Sequence, residues 1–188
     1  MARWPIGRWL PAIGLWGGLA LVLVAVNLLI VEKQRVLDDG RTVLLALRPV
    51  DPRSLIQGDY MELRYHEALV PVDAPADTAA APETDGRVVV ALDADGVATF
   101  RRFDDGSALA ADEQLLRYKR RAPLGLEPDP EDTELFIGAE SFLFQEGHAE
   151  AYEEARYGIL KVAPDGSSVL AGLADAERRP IRPGPVSP

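Results

Sequence analysis

Residues 12–31 read AIGLWGGLALVLVAVNLLIV, a run without a charged side chain near the start of a 188-residue chain. A helix rises about 1.5 Å per residue, so this run matches a hydrocarbon core about 30 Å thick. We therefore expect one transmembrane anchor at 12–31, preceded by a short head at 1–11.

Two other interpretations of this run are a cleaved secretory signal and a buried core helix. A signal peptide has an apolar centre of roughly 7–15 residues followed by a small-x-small cleavage site. This run is longer, and Leu23–Asn27 makes a poor cleavage site. The tryptophans at positions 4, 9 and 16 are typical of interfacial anchors. These features favour an uncleaved anchor.

One strongly polar side chain, Asn27, lies inside the anchor. It either hydrogen-bonds a partner helix or lies shallow enough to reach the membrane interface. The flanking cations do not fix the orientation by the positive-inside rule. Because the head is short and the remainder long, we expect a single-pass protein of the cytoplasmic membrane whose C-terminal domain is extracytoplasmic.

The residues after Val31 are enough for one ordinary domain with its own core. Because Arg3 and Arg8 are the only charged residues before Glu32, the net charge of −10 becomes −12 for this domain. Such a charge argues against nucleic acid as a partner. The chain has no cysteine, and His66 and His148 lack a metal-ligand spacing, so we expect no metal and no cofactor.

After a polar connector at 32–40, short alternating apolar runs separated by turn residues indicate a mainly β fold. We expect an antiparallel β sandwich or partly open barrel at 41–177, with hairpins around Asp93–Gly96 and Pro164–Gly166. The predicted strands are Thr42–Leu47, Asp59–His66, Arg87–Leu92, Val97–Phe103, Gln114–Arg121, Leu135–Phe144, Ile159–Ala163 and Ser168–Leu173.

One short helix is expected at Glu146–Arg156. Residues 148, 151, 152 and 155 recur at helical spacing and form an apolar stripe. Two segments, 72–85 and 122–132, have the composition of loops, and the proline-rich tail at 178–188 is expected to be disordered.

The segment from Asp51 to Gly58 predicts one helical turn that leads into a strand. Asp51 is placed as an N-cap, Pro52 occupies the first helical position, and Gly58 lies where the turn would end in a left-handed conformation. Asp59 then starts the strand and needs a partner. It either caps nearby backbone N–H groups or pairs with Arg53.

Period-two alternation divides the side chains of this strand between two faces. One face carries Asp59, Met61, Leu63 and Tyr65, and the other carries Tyr60, Glu62, Arg64 and His66.

The octapeptide GDYMELRY at 58–65 fits the pattern Gly-Asp-Tyr-x-x-Leu-x-Tyr, and the chain resembles the bacterial membrane family named after it, the GDYXXLXY proteins. Further matching blocks are at 49–55, 140–147 and 155–158. The resemblance implies an N-terminal anchor and an exported domain, usually encoded beside polytopic membrane proteins. It implies no activity.

The segment Ser54–Asp59 is also similar to the Thr-Leu-x-x-Gly-Asp of type I signal peptidases. The nucleophile of that pattern falls on Val50, which has no nucleophilic atom, and no lysine has the setting of the general base. We therefore expect a protein that is not an enzyme.

Glu140 shares a predicted strand face with Phe136, Phe142 and Phe144. A carboxylate on an inward face needs a cation or several donors. We expect an ion pair with an arginine such as Arg53 or Arg64. The alternative is a cleft shared with Asp59, where two carboxylates would form an acid/base or cation site.

Six basic residues lie on two neighbouring predicted strands. Alternation with Leu116 and Tyr118 indicates a solvated strand face, and the alternative is a docking surface for an acidic partner. They are Arg101, Arg102, Arg117, Lys119, Arg120 and Arg121.

Taken together, these features predict an extracytoplasmic accessory domain that is anchored in the lipid bilayer and has a polytopic membrane protein as its partner. The alternative is a domain that binds a small molecule or an envelope component in a cleft near Asp59, Tyr60 and Glu140. A hydrolase of the signal-peptidase type is the third hypothesis.

Overall fold

The computed structural model describes residues 10–47, 60–65, 85–121, 134–145 and 147–184. The chain divides into two compact units, Met1–Arg35 and Val36–Pro188. The helices are α1 (Leu10–Asp39) and α2 (Ala149–Tyr152). The strands are β1 (Arg41–Ala46), β2 (Tyr60–Glu62), β3 (Asp85–Leu92), β4 (Ala98–Phe103), β5 (Glu113–Arg121), β6 (Glu134–Phe136), β7 (Ser141–Leu143), β8 (Tyr157–Val162) and β9 (Ser168–Ala174).

Helix α1 is long and apolar enough to cross a membrane, and the part that meets both criteria is Leu15–Asp39. The helix continues to Asp39, so most of the segment 32–40, which we treated as a connector, is helical. That segment has good helix formers and no proline before Gly40. The Gly40 N–H donates to Val36 O, and a Cβ on Gly40 would collide with the same oxygen. A glycine is therefore required where the helix ends.

The strands form antiparallel sheets, which confirms the predicted fold class. A four-stranded sheet has the order β4-β3-β5-β6, a three-stranded sheet has the order β1-β8-β9, and β2 pairs with β7. A parallel bridge between Leu44 and Val97 joins the two larger sheets on one side. The Arg117 N–H donates to Gly166 O at 2.9 Å and joins β5 to the β8–β9 turn. The resulting half-barrel encloses one apolar core.

The core collects alternate side chains from the surrounding strands, as a curved antiparallel sheet requires. In β8 every second residue is buried, and in β3 the last five residues are buried on both faces. The largest fully buried side chains are Val43, Leu45, Val88, Val89, Val90, Leu116, Leu160, Val162 and Leu173.

Both predicted hairpins are confirmed. β3 and β4 pair across the turn at 93–97, and β8 pairs with β9 across the turn at 163–167. Asp93 Oδ1 accepts hydrogen bonds from the N–H groups of Asp95 and Val97. Gly96 and Gly166 have φ of +81° and +88°, the left-handed conformation that favours glycine. The Asp-Gly pairs therefore act as the turn chemistry predicts.

The single strand predicted at Leu135–Phe144 is wrong. The structure has two three-residue strands instead, β6 and β7, which belong to different sheets. Gly138 between them has φ of +79°, which an extended strand cannot accommodate. The residues 137–140, which we name the 137–140 turn, redirect the chain. β2 is also shorter than predicted, because its pairing with β7 ends at Glu62.

The predicted helix Glu146–Arg156 is too long, since α2 covers only 149–152. Gly147 has φ of +86°, which prevents a helical start before His148. At the other end, Arg156 already pairs with the sheet, because its N–H donates to Ala174 O and its carbonyl accepts from Leu47 N–H. Of the predicted apolar stripe, Tyr152 is buried but Ala151 is exposed.

Part of the tail that we expected to be disordered pairs with β9. Pro180 forms a bridge with Ala174, and the Ile181 N–H donates to Leu173 O at 2.9 Å. Asp175 Oδ1 also accepts from the Arg179 N–H. Residues 180–181 therefore pair with the sheet, while 185–188 lie outside the described residues.

Candidate functional site

The motif strand β2 places its side chains as the alternation predicts. Met61, Leu63 and Tyr65 are buried in the core. Glu62 and Arg64 are exposed on the opposite face. The alternation continues past the end of the paired strand, so the fixed Leu and second Tyr of the octapeptide are both core residues.

Two of these core residues hold the 137–140 turn. The Leu63 N–H donates to Glu140 O at 2.7 Å. The Tyr65 hydroxyl donates to Ala139 O at 2.9 Å in a buried position. Two peptide carbonyls of the turn are thus satisfied by the motif strand, where they would otherwise be costly to bury.

The Tyr65 ring lies against the backbone of Gly158 in β8. A Cβ at position 158 would be 2.8 Å from Tyr65 Oη and 3.0 Å from Cε1, so only glycine leaves room for the ring. Burial raises the pKa of the Tyr65 phenol well above its usual value, and the nearby Glu140 carboxylate adds to the rise. The phenol is therefore a neutral hydrogen-bond donor here, not an acid.

Glu140 stabilises the turn through its own side chain. Oε1 accepts hydrogen bonds from the N–H groups of Ile137 and Gly138. The expected partner Arg64 is paired with Glu62 at 3.6 Å, not with Glu140. The other expected partner, Arg53, lies outside the described residues, so its ion pair with Glu140 stays a prediction. Among the described residues, backbone N–H groups are the donors to this carboxylate, because the chain reverses here instead of running straight past it.

An open cleft of about 440 Å³ lies beside this turn, and we name it the β5–β6 cleft. Three strand segments and the turn form its wall. Its lining residues are Asp85, Gly86, Arg117, Tyr118, Lys119, Phe136, Ile137, Gly138 and Glu140.

Charged and aromatic side chains form one row across the strands of this cleft. Lys119 in β5 lies opposite Asp85 on one side and Phe136 on the other. Arg117 is held by Asp165 at 2.8 Å. The Lys119 ammonium, by contrast, forms no hydrogen bond or ion pair with any residue that the structure describes.

A family model described as GDYXXLXY protein matches residues 22–173. The chain belongs to the GDYXXLXY family. Neither the curated proteins nor the solved structures include a match. The local similarity to type I signal peptidases is therefore not supported by these comparisons.

The first half of the GDYXXLXY motif region lies outside the described residues. Asp51, Arg53, Gly58 and Asp59 belong to that part, so the predicted cap and the predicted meeting of Asp59 with Glu140 stay predictions. The backbone of Tyr60 is described, and it lies opposite Leu143 in the β2–β7 pair.

The sequence analysis did not identify the residues that contact the GDYXXLXY motif in the folded domain. The Tyr65 ring packs against the backbone of Gly158, and the Tyr65 hydroxyl donates to the carbonyl of Ala139. The glycine at 138, inside an apolar run, was the available signal, because an isolated glycine in a strand pattern marks a bulge or a turn. For Gly158 the available signal was its place at the end of the matching block 155–158, which did not indicate a contact with Tyr65.

Two of the six basic residues on β4 and β5, Arg102 and Arg117, are paired with acids among the described residues. Arg117 pairs with Asp165, and Arg102 pairs with Glu113 at 3.1 Å and with Asp105 at 3.7 Å. Leu116 and Tyr118 between the cations are buried, which agrees with a solvated strand face. These pairs neutralise two of the charges that an acidic partner would need.

Proposed function

We propose that this GDYXXLXY protein is a non-catalytic, membrane-anchored accessory domain that binds a polytopic membrane protein. The observation that carries the proposal is the uncovered apolar surface of α1. Leu15 and Leu21 are 70% and 71% exposed. The other exposed large apolar side chains from this part of the helix are Trp16, Leu19, Val22, Leu23, Val24, Val26, Leu28, Leu29, Ile30 and Val31.

Water is a poor solvent for this surface. Each large apolar side chain left in water forgoes about 1.5–3 kcal/mol that burial would supply. Twelve such side chains on one helix represent a cost of roughly tens of kcal/mol by the same coefficient, which exceeds the stability of an ordinary domain. A lipid bilayer removes that cost along the uncharged part of the helix, up to Val31.

The hydrogen-bonding capacity of Asn27 is evidence for a partner helix within the bilayer. Its Nδ2 donates to Leu23 O at 2.8 Å, which occupies one of its two amide hydrogens. Its carbonyl oxygen accepts no hydrogen bond from the described residues. Lipid tails offer no donor, whereas a second helix with a polar side chain does.

The anchor is tested by washing sedimented vesicles with alkaline carbonate. We expect the intact, unprocessed chain to remain with the lipid pellet. Release of the intact chain into the supernatant would overturn the anchored role.

The partner is tested by extracting a tagged full chain in mild detergent and identifying the proteins that co-purify. We expect a multi-pass membrane protein, and Asn27→Leu is expected to lower its recovery roughly 3- to 30-fold, the range for one interhelical hydrogen bond. Val26→Leu is the matched control and leaves recovery unchanged. Purification of the chain alone would count against the accessory role.

The cytoplasmic membrane and an extracytoplasmic domain are proposed from the short head and the long acidic remainder. A reporter enzyme fused after the last residue, active only outside the cytoplasm, tests this orientation. We expect activity in intact cells. An inactive but intact fusion would reverse the topology.

A second candidate function is the binding of a small molecule. The observation in its favour is the β5–β6 cleft, which has the size of an ordinary ligand site and includes Glu140. A panel of uncharged, anionic, cationic and zwitterionic compounds tests it, because a bound ligand raises the unfolding temperature of the full chain. If no class raises that temperature, this candidate is lost and the anchored role is unaffected.

A further inference from the structure

We propose that the β5–β6 cleft binds a zwitterion of the amino-acid class, a free amino acid or short peptide that carries an ammonium, a carboxylate and an apolar side chain. This inference rests on the second candidate function and names its ligand. Three independent properties of the cleft carry it: a lysine that pairs with none of the described residues, two carboxylates in the same lining, and an apolar wall.

Lys119 is the group that receives the ligand carboxylate. Its side chain is exposed at the cleft and is not engaged by the described residues. The other cation of the lining, Arg117, donates through Nη2 to Asp165 Oδ2 and through Nε to Asp165 O. Within the described lining, a bound anion therefore meets one available positive charge, which suits a single carboxylate better than a polyanion.

Asp85 and Glu140 are the groups that receive the ligand ammonium. Asp85 lies directly opposite Lys119 in the β3–β5 register, and no ion pair joins the two side chains. Glu140 uses Oε1 to hold the turn, and its Oε2 accepts no hydrogen bond from the described residues. Two carboxylates of the described lining thus remain available to a ligand ammonium.

Both signs of charge in one cleft discriminate between classes of ligand. A purely anionic ligand would gain Lys119 but face two carboxylates, and a purely cationic ligand would face the lysine. A molecule with both charges a few bonds apart satisfies the groups together. Half-buried Phe136 and buried Ile137 supply the apolar wall for its side chain.

Equilibrium dialysis of radiolabelled L-phenylalanyl-L-alanine against the detergent-solubilised full chain tests the proposal. We expect saturable binding that Lys119→Gln and Asp85→Asn each weaken about tenfold or more, the loss of one charge-assisted bond. Both positions are exposed, so these variants fold. Arg101→Gln and Asp112→Asn are the matched controls, which remove exposed charges outside the cleft and leave binding unchanged.

Competition experiments separate the contributions of the two charges. The N-acetyl and the C-terminal amide forms of the dipeptide are each expected to compete about tenfold more weakly than the parent. Equal competition by either blocked form would overturn the zwitterion assignment. Binding that is insensitive to both cleft variants would overturn the location.

Glycerophosphoethanolamine distinguishes the other common source of a zwitterion, a lipid headgroup. We expect it to compete more weakly than the dipeptide, because its phosphate leaves the apolar wall empty. If it binds and the dipeptide does not, the amino-acid assignment is wrong. If only an uncharged or anionic compound binds and Lys119→Gln abolishes that binding, the cleft remains a ligand site but not for this class.

Discussion

Replacement of Gly158 by alanine tests the packing of the Tyr65 ring against the backbone of β8. The added Cβ would lie 2.8 Å from Tyr65 Oη, which is closer than real Cβ atoms approach other atoms. The ring is buried and its hydroxyl is held by Ala139 O, so it cannot move freely. Overpacking of this kind costs about 1–3 kcal/mol, offset by about 0.4–1 kcal/mol because alanine restricts the unfolded chain. We expect a net loss of about 1–2 kcal/mol in the free energy of unfolding, from the same two terms.

The same substitution is expected to cost less when residue 65 is phenylalanine. Tyr65→Phe alone removes the buried hydrogen bond to Ala139 O, which costs about 1–3 kcal/mol. It also removes the atom closest to the new Cβ and leaves Cε1 at 3.0 Å and Cζ at 3.3 Å. The two changes should therefore be non-additive, with a coupling energy of about 1 kcal/mol.

Urea unfolding of the full chain in detergent, followed by near-ultraviolet circular dichroism, measures all four members of this cycle. Gly172→Ala is the matched control, because the nearest atom to its Cβ is Ile159 Cδ1 at 3.9 Å. We expect little change from it. Costs that add within about 0.3–0.5 kcal/mol would show that Tyr65 is not seated on Gly158 and would refute the packing argument.

Three further predictions concern the same region and the second hairpin. Because the folded pKa of Tyr65 is raised, its contribution to stability is complete below pH about 10 and declines above it by up to ~1.4 kcal/mol per pH unit, and Tyr65→Phe should lack this decline in unfolding titrations. Parallel alkaline losses in both proteins would exclude the buried phenol as the cause. Glu140→Ala is expected to lower the unfolding free energy by about 1–2 kcal/mol, whereas Glu140→Gln, which keeps an acceptor for the turn, should lose less than half of that. Equal losses in chemical denaturation would mean that the charge matters and the cap does not. Gly166→Ala forces φ of +88° on a residue with a Cβ and should cost about 1–2 kcal/mol, against no change for Gly184→Ala, where a Cβ meets open space. A thermal melt without that difference would contradict the turn assignment.

The structure explains two fixed positions of the GDYXXLXY motif, the Leu and the second Tyr. Leu63 and Tyr65 bind successive carbonyls of the 137–140 turn, and Glu140 of the same turn lines the β5–β6 cleft. A change in the motif strand therefore reaches the cleft through one shared element. Loss of either motif residue is expected to affect the domain through its packing.

Local sequence patterns were sufficient to predict the elements that are stabilised by residues close to one another in the sequence. The membrane-length helix follows from a continuous uncharged run, and the two hairpins follow from Asp-Gly turns between alternating strands, because the causes lie within a few residues. The alternation of Met61, Leu63 and Tyr65 was predictable for the same reason.

Tertiary structure alone decided the division of Leu135–Phe144, the shortness of α2 and the pairing of 180–181 with β9. Each depends on partners far along the chain: Leu63 for the carbonyl of Glu140, Ala174 for the N–H of Arg156, and Leu173 for the N–H of Ile181. The row of Asp85, Lys119 and Phe136 likewise exists only because three strands pair in one register. The hydropathy pattern of a sequence predicts which side chains are buried. It does not predict which distant backbone group forms a hydrogen bond with a given residue, or which glycine leaves space for an aromatic ring.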